Sequence, residues 1–333
     1  MKIWKKLAVI TAAVVVLANS AAFAAFSDMP DGEIGNALNN AVENGLITGY
    51  EDGTVRPHDN ITRAQMATII TRAFGAVAEA QISFPDVADN EWYKDEVAKA
   101  VAMGVFKGDE NGNFNPQNNI TFQETYAVIA RAFCLEPFPK GEKMLHPVSD
   151  TALDSFSDKN SVAPWAQIYA KSVVENGGWK GVNGMLKGTD YITRGEFALL
   201  MDEIVTTYID DPGTYNGLPD GLVMVRSGGA KISGLETSKN VIICYSVDKK
   251  GCTIEKSNVS GAVICLGGAN PTQYVDENGN TYTAAGNEPT ISISGKFIDA
   301  RVFAPYISLD ARKATVTELL YGVPGSEIHP PTK

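Results

Sequence analysis

Ile61-Thr62-Arg63-Ala64-Gln65 occurs three times in this chain in closely related forms. The second copy is Ile120-Thr121-Phe122-Gln123-Glu124, and the third is Ile192-Thr193-Arg194-Gly195-Glu196. The copies start 59 and 72 residues apart. Recurrence of this kind indicates an array of similar structural units, and it is the strongest sign of how the chain folds.

Each copy has the pattern of a helix start. A threonine occupies the N-cap position, and a Gln or Glu follows three residues later, which together predict a capping box. Apolar residues then recur at helical spacing. They are Met66, Ile69, Ile70 and Phe74 in the first copy, Val128, Ile129 and Phe133 in the second, and Phe197, Leu200, Met201, Ile204 and Val205 in the third. We therefore predict an amphipathic helix after each copy.

Arg63 and Arg194 are not explained by capping. Both occupy the first helical position, where the positive end of the helix dipole mildly disfavours a cation. An arginine placed there twice indicates an anion nearby. A protein carboxylate and a bound ligand both meet this requirement.

The sequence before each copy also repeats. The units open with Phe26-Ser27-Asp28, Phe84-Pro85-Asp86 and Phe156-Ser157-Asp158. A first helix is predicted at about 33–45, with Gly45 as its C′ residue, and Trp92 and Trp165 stand at the corresponding helix entries. Glycine-containing loops follow, with Gly49 in the first unit and Gly108 in the second. The third loop, from Gly181 to Asp190, departs from this pattern.

Three such units in tandem resemble S-layer homology (SLH) domains. The resemblance implies a pseudo-threefold helical bundle that anchors exported proteins non-covalently to the cell envelope. The implied partner is a secondary cell-wall polysaccharide, often pyruvylated, or peptidoglycan. The resemblance also implies that the helix-entry Arg, the opening Asp, the Trp and the glycine loop line the binding grooves.

These roles transfer only in part. The first unit has Asp28, Gly49 and Arg63, but Ile34 stands in place of the Trp. The second unit has Asp86, Trp92 and Gly108, but Phe122 stands in place of the Arg. The third unit has Asp158, Trp165 and Arg194, and its loop is altered. No unit is complete, so one or two active grooves are expected. As an alternative, the tryptophans wedge helices together and the aspartates cap a helix or close a turn.

The two ends of the chain differ from the repeats. Residues 1–24 have the basic, apolar and small-residue regions of a secretory signal peptide, and no later apolar run is long enough for a membrane helix. The remaining chain has 25 Lys and Arg against 39 Asp and Glu, which argues against nucleic-acid binding. We predict repeats at 25–80, 81–136 and 153–209, a linker at 137–152 and a β-rich domain at 210–333.

Short β-type runs separated by turn residues fill the last region. They lie at 222–226, 241–247, 259–266, 290–294, 301–303, 306–309 and 315–319. This pattern favours a short β-solenoid, with a small β-sandwich as the alternative. Residues 273–287 interrupt the rhythm, and we predict a projecting loop with a turn at Asn278-Gly279.

No catalytic motif is apparent. His58, His146 and His329 are isolated, and the Asp-rich runs at 109–113 and 276–280 lack the rest of a calcium loop, so we expect turns there and neither a metal nor a cofactor. Cys134 is expected to be a buried thiol. The spacing of Cys244 and Cys265 also suggests a disulfide between them, which an extracellular protein permits.

The sequence therefore favours a wall-binding module that displays a β-domain. The alternative is a wall-anchored enzyme acting on polysaccharide, with Asp299 and Asp310 as candidate acids, although ion pairs with Arg301 and Arg312 explain them equally well. Self-association in a surface lattice is a third reading.

Overall fold

The computed structural model describes residues 26–332 apart from 268–270, 276–280 and 286–288, with backbone only for 271–275 and 281–285. The predicted signal peptide and the predicted Asn278-Gly279 turn lie outside the described residues. In the described part, helices occupy the first half and β-strands the second. This arrangement is the predicted α + β class.

The helical half has two helices in each repeat. They are α1 (Gly32–Glu43), α2 (Arg63–Phe74), α3 (Lys94–Ala102), α4 (Phe122–Ala132), α5 (Gln167–Glu175) and α6 (Arg194–Ile204). The predicted capping boxes are present at Thr62, Thr121 and Thr193. Gly45 follows α1 with a φ of 68°, as a C′ glycine requires.

The three isoleucines that precede the caps close a ring of backbone hydrogen bonds. The amide of Ile61 donates to Ile192 O (3.0 Å), that of Ile192 to Ile120 O (3.1 Å), and that of Ile120 to Ile61 O (2.9 Å). The first helix of each repeat packs on the second helix of the preceding repeat, so that α3 contacts α2, α5 contacts α4 and α1 contacts α6. The predicted pseudo-threefold bundle is confirmed.

The second half is a β-solenoid that follows a small hairpin in the linker. The hairpin pairs β1 (Phe138–Lys140) with β2 (Lys143–Leu145). The solenoid strands are β3 (Val205–Ile209), β4 (Gly213–Asn216), β5 (Leu222–Val225), β6 (Ala230–Ser233), β7 (Glu236–Thr237), β8 (Val241–Ile243), β9 (Cys252–Cys265), β12 (Thr290–Val302), β13 (Ser308–Gly322) and β14 (Glu327–His329). An antiparallel pair, β10 (Pro271–Val275) and β11 (Thr281–Ala285), is inserted between β9 and β12.

Parallel pairing of successive coils identifies the solenoid. On one face, Val223, Val241, Val263, Ala300 and Leu320 are aligned in turn. A β-sandwich is built from antiparallel sheets, so that alternative is wrong. The β10–β11 pair overlaps the segment 273–287, so this segment is not only a loop.

One sheet of the solenoid packs against the helical bundle. Its strands are β3, β5 and β8 with the last parts of β9 and β12. Alternate side chains such as Val223 and Val263 point into the solenoid, whereas Leu222 and Ile264 join the core of the bundle. Burial on both faces explains the continuous apolar runs of these strands.

The same sheet corrects two expectations about individual residues. Val205 begins strand β3 directly after α6 and does not continue the helix. Ile243 is aligned with Cys265, so the neighbouring Cys244 points to the opposite face, into the bundle. A disulfide between Cys244 and Cys265 is therefore wrong, and all four cysteines are free. Cys134 lies beyond the end of α4, half-buried, with a φ of 50°.

The solenoid also caps helices of the bundle. Carbonyl groups at a helix C-terminus have no partner within the helix, and basic side chains there interact favourably with the dipole. Four such carbonyls accept from solenoid donors. These bonds join Phe74 O to the Tyr245 amide (3.0 Å), Phe133 O to Asn240 Nδ2 (3.1 Å), Glu175 O to Lys239 Nζ (2.9 Å) and Asn44 O to Arg226 Nη1 (2.9 Å). Bundle and solenoid thus form one packed unit.

Candidate functional site

Two surface grooves bring together the predicted Arg, Gly and Trp residues. Groove A, of about 240 Å³, lies between the first loop, with Gly49, and α2; Trp92 and Arg194 complete it. Groove B, of about 790 Å³, lies between the second loop, with Gly108, and α4; Trp165 and Arg63 complete it. Each groove therefore takes its parts from three different repeats.

The corresponding position between the third loop and α6, groove C, lacks both key side chains. By the pseudo-threefold relation, its Arg position is Phe122, which is fully buried, and its Trp position is Ile34, which approaches α6 at Gly195. The two departures from the repeat pattern thus coincide in one groove. Although no single repeat carries the full set of Arg, Gly and Trp, two of the three grooves contain this set, because each groove combines residues of different repeats.

The opening aspartates hold the loops in place. Each carboxylate accepts hydrogen bonds from two consecutive loop amides: Asp28 from Val55 and Arg56 (2.7 and 2.8 Å), Asp86 from Phe114 and Asn115 (2.8 and 2.6 Å), and Asp158 from Leu186 and Lys187 (2.9 and 2.7 Å). The second amide in each pair belongs to a residue with a φ of 51–57°. These contacts support the turn-closing alternative, and a ligand contact by the aspartates stays a prediction.

The loop glycines allow the opening phenylalanine to pack beneath each loop. A Cβ at Gly49 would lie 1.9 Å from the Phe26 ring, and one at Gly108 would lie 2.7 Å from Phe84. Both distances are below any normal contact, so glycine is required there. The glycines shape the groove wall, and direct ligand contact by them also stays a prediction.

Arg194 is a buried cation in groove A. It is 8% exposed, and its Nε and Nη2 atoms donate to Val55 O (2.7 Å) and Thr48 O (2.6 Å). Burial lowers the pKa of its guanidinium below the usual range. Among the described residues, no carboxylate lies within ion-pair distance of Arg194. A buried charge without a counter-ion is costly, so this guanidinium favours an anion in the groove.

Arg63 has a different environment in groove B. Its Nε donates to Phe114 O (2.8 Å), and its Nη1 pairs with Glu124 Oε1 (3.3 Å). Burial lowers the pKa of its guanidinium as well. Of the two explanations for these arginines, the protein carboxylate applies to Arg63, with Glu124 as the partner.

Trp92 and Trp165 present large exposed rings. They are 61% and 52% exposed and contact Tyr93 and Tyr169 edge-on, with ring centroids 5.3 and 6.4 Å apart. A ring that wedges helices together would be buried. The exposure therefore favours a surface role, and their contact with a ligand stays a prediction.

Groove C has a cation of another kind. Lys187 Nζ lies 5.4 Å from the centroid of the Phe122 ring and bonds Glu196 Oε1 at 2.5 Å. Glu196 also belongs to the capping box of α6. The positive charge of Lys187 is therefore already neutralised by the protein.

The structure adds groove residues that the repeat pattern did not single out. Arg72 lines groove A, and Arg131 and Tyr191 line groove B. Arg72 and Arg131 both lie ten residues after the capping threonine, a spacing that a closer alignment of the repeats would have shown. Glu203 occupies this position in the third repeat.

The candidate acids of the β-domain are in ion pairs. Asp299 is fully buried, pairs with Arg301 and bonds His146 Nε2 at 2.8 Å. Asp310 Oδ2 pairs with Arg312 Nη2 at 2.8 Å. The predicted ion pairs are present, and His146, which is isolated in sequence, joins the first of them.

The comparison with protein families follows the same division into repeats. The model of the S-layer homology domain matches residues 25–67, 83–125 and 155–198. The chain contains three SLH domains. Grooves A, B and C therefore lie between neighbouring SLH domains, and the β-solenoid follows the third.

Relatives of the chain include surface-layer proteins and an exoglucanase. It is 32% identical over 202 residues to the Surface-layer 125 kDa protein of Lysinibacillus sphaericus, covering 60% of this chain and 16% of that protein. It is 29% identical over 265 residues to S-layer protein EA1 of Bacillus anthracis, covering 75% and 28%. It is 26% identical over 158 residues to Exoglucanase XynX of Acetivibrio thermocellus, covering 47% and 13%.

These matches place the chain among secreted cell-surface proteins. The chain spans less than a third of the length of each of these three relatives. Within the part of the chain that the structure describes, no helix is both long and apolar enough to span a membrane.

Proposed function

We propose that this protein attaches non-covalently to an anionic polymer of the cell wall through grooves A and B. The polymer is a secondary cell-wall polysaccharide carrying ketal-linked pyruvate, or peptidoglycan. The observation that carries the proposal is the buried Arg194 guanidinium, which has no carboxylate partner among the described residues and shares groove A with the exposed ring of Trp92.

The chemistry of the groove fits such a ligand. A guanidinium binds a carboxylate with two parallel charge-assisted hydrogen bonds, and a ketal-linked pyruvate holds its carboxylate in a fixed position on the sugar. The indole ring offers a flat apolar surface for the C–H face of the same sugar. Groove C lacks both groups, and we expect it to contribute little.

The matched relatives support attachment as the shared property. They include surface-layer proteins and an exoglucanase, whose names indicate different overall roles. In the alternative, the β-solenoid is a polysaccharide-active enzyme, but its candidate acids Asp299 and Asp310 are held by Arg301 and Arg312. We propose that the solenoid is displayed by the anchored bundle.

The test is binding of the full chain to purified cell walls before and after removal of pyruvate. Arg194→Ala should lower affinity about ten- to a hundredfold, because a hydrogen-bonded charged contact is worth about 1.5–3 kcal/mol. Arg63→Ala should lower it less, since Glu124 already shares that charge, and the double variant should show the largest loss of affinity. The helices should persist, because their caps are untouched and alanine favours a helix.

Lys187→Ala is the matched control, since it removes the cation of groove C. Phe122→Ala is unsuitable, because Phe122 is fully buried and its truncation would destabilise the core by about 3–5 kcal/mol. Thermal unfolding of each variant separates lost binding from lost folding. Unchanged attachment of the folded double variant would refute the proposal.

A further inference from the structure

The charges that line the two complete grooves are unequal. The charged residues in the lining of groove A are Arg72 and Arg194, and this lining contains no acid. Arg72 is exposed and has no ion-pair or hydrogen-bond partner among the described residues. Two uncompensated guanidinium groups therefore face one small groove.

The lining of groove B is nearly balanced. Arg63, Lys107 and Arg131 are matched by Asp109 and Glu124. Arg63 pairs with Glu124, and Arg131 Nη2 donates to Tyr169 Oη at 2.7 Å. The cations of groove B are thus largely engaged by the protein itself.

Groove B is lined by uncharged amide and aromatic side chains instead of unpaired charged groups. Its lining includes the amides of Gln117, Asn118 and Asn119 and the rings of Trp165 and Tyr191, which are 52% and 53% exposed. Side-chain amides donate to and accept from hydroxyl groups, and aromatic rings contact the apolar faces of sugars. Two aromatic rings along one cleft suit a ligand of more than one sugar.

The two grooves also differ in volume, and groove B is the larger. Pockets for drug-sized ligands enclose roughly 300–1,000 Å³. Groove A, at about 240 Å³, is smaller than this range, whereas groove B, at about 790 Å³, lies in its upper part. Groove A thus has the size for a single substituted sugar ring, and groove B for several linked rings.

We propose that grooves A and B bind different parts of one polymer. Groove A binds the sugar that bears the carboxylate, through Arg72 and Arg194, and groove B binds an extended run of sugars irrespective of charge, through Trp165 and Tyr191. This inference rests on the proposed wall attachment. Because both grooves belong to one packed bundle, simultaneous binding raises the overall affinity without any further contact.

The test compares two probes prepared from the same walls: oligosaccharides with intact carboxylates, and the same oligosaccharides with the carboxylates reduced to alcohols. The wild-type chain should bind the intact form at least tenfold more tightly. Arg72→Ala and Arg194→Ala should each lower this preference, because they remove the charge that distinguishes the probes. Trp165→Ala and Tyr191→Ala should weaken binding of both probes about tenfold and leave the preference as it was.

Three results would overturn the assignment. They are an unchanged preference in Arg194→Ala, a preference lost in Trp165→Ala, and no measurable binding of the reduced probe by the wild-type chain. Arg63→Ala serves as the control with an ion-paired guanidinium, and it should retain most of the preference. If the arginine and aromatic variants lose attachment to whole walls but change the binding of the two probes to the same extent, only this inference fails. If the folded Arg63/Arg194 double variant attaches to walls as tightly as the wild-type chain, the proposed function itself fails.

Discussion

Asn240 joins the solenoid to the bundle, and its replacement by alanine tests whether the two parts unfold together. Its Nδ2 donates to Phe133 O (3.1 Å) and Cys134 O (3.3 Å), and its Oδ1 accepts from the Ala262 amide (2.9 Å). The side chain is 8% exposed and Ala262 is fully buried. Water therefore has little access to the groups that alanine would leave unpaired.

The expected cost follows from these bonds. A buried polar group left without a partner costs about 1–3 kcal/mol, and Asn240→Ala leaves the Ala262 amide and the Phe133 carbonyl in this state. We expect a loss of about 3 kcal/mol in the free energy of unfolding. For a cooperative unit of about 300 residues, with an unfolding entropy of about 2.1 cal/mol/K per residue, that corresponds to a fall in Tm of roughly 5 °C.

The assay follows thermal unfolding by two probes. Beyond residue 24, all three tryptophans, Trp92, Trp165 and Trp179, belong to the bundle, so their fluorescence reports on the helices, while far-UV circular dichroism also detects the solenoid. Both signals should change at one temperature, and Asn240→Ala should lower that temperature for both.

Asn258→Ala is the control for the Asn240 experiment, because Asn258 is an exposed asparagine on strand β9. Surface substitutions of this kind usually change stability by less than about 0.5 kcal/mol. Equal stability of the Asn240→Ala and Asn258→Ala variants would refute the reasoning, as would separate fluorescence and dichroism transitions in the wild-type chain.

Two further predictions concern carboxylates. Asp86→Ala removes the acceptor of two loop amides and should cost about 2–3 kcal/mol in urea unfolding; a change below 0.5 kcal/mol would contradict the loop-holding role. Arg312 lowers the pKa of Asp310 to about 2 from its usual 3.8, so this pair should contribute about 1 kcal/mol above pH 4, after allowance for solvent screening. That contribution should be lost as the pH falls from about 4 to about 2, and Asp310→Asn should remove this part of the pH dependence of unfolding; an identical pH profile for the variant would contradict the assignment.

Features that depend on neighbouring residues were predictable from the sequence. The capping boxes at Thr62, Thr121 and Thr193 require only a threonine and a Gln or Glu three residues later. The C′ role of Gly45 and the coiled β-structure of the second half likewise follow from the spacing of nearby residues. These are the parts of the fold in which short-range chemistry decides the conformation.

Features that depend on pairing between distant segments were not predictable in the same way. The repeats suggested three incomplete sites, because Arg63 was assigned to the same site as Gly49. In the structure Arg63 faces Gly108 of the next repeat, and Arg194 faces Gly49. The cyclic packing of the repeats alone places the Arg of one repeat beside the glycine loop of another, and no residue within a single repeat specifies this placement.

The error at Cys244 has a related cause. Adjacent residues of a strand point to opposite faces, so a one-residue difference in register reverses the direction of a side chain. Cys244 follows Ile243, the partner of Cys265. Sequence separation alone does not fix the register between coils, and the sulfur atoms therefore could not be placed.

The ring of Ile61, Ile120 and Ile192 has a consequence for the number of repeats. Each of these residues donates one backbone hydrogen bond to a neighbour and accepts one from the other neighbour, so the ring has no free end at which a fourth unit could pair. Excision of one repeat would break two of these three hydrogen bonds and would also remove two of the three helix–helix contacts between neighbouring repeats. The solenoid, in contrast, grows by stacking one coil on the last. Within this one chain, ring closure therefore fixes the number of units in the helical half, and no such closure limits the number of coils in the β-half.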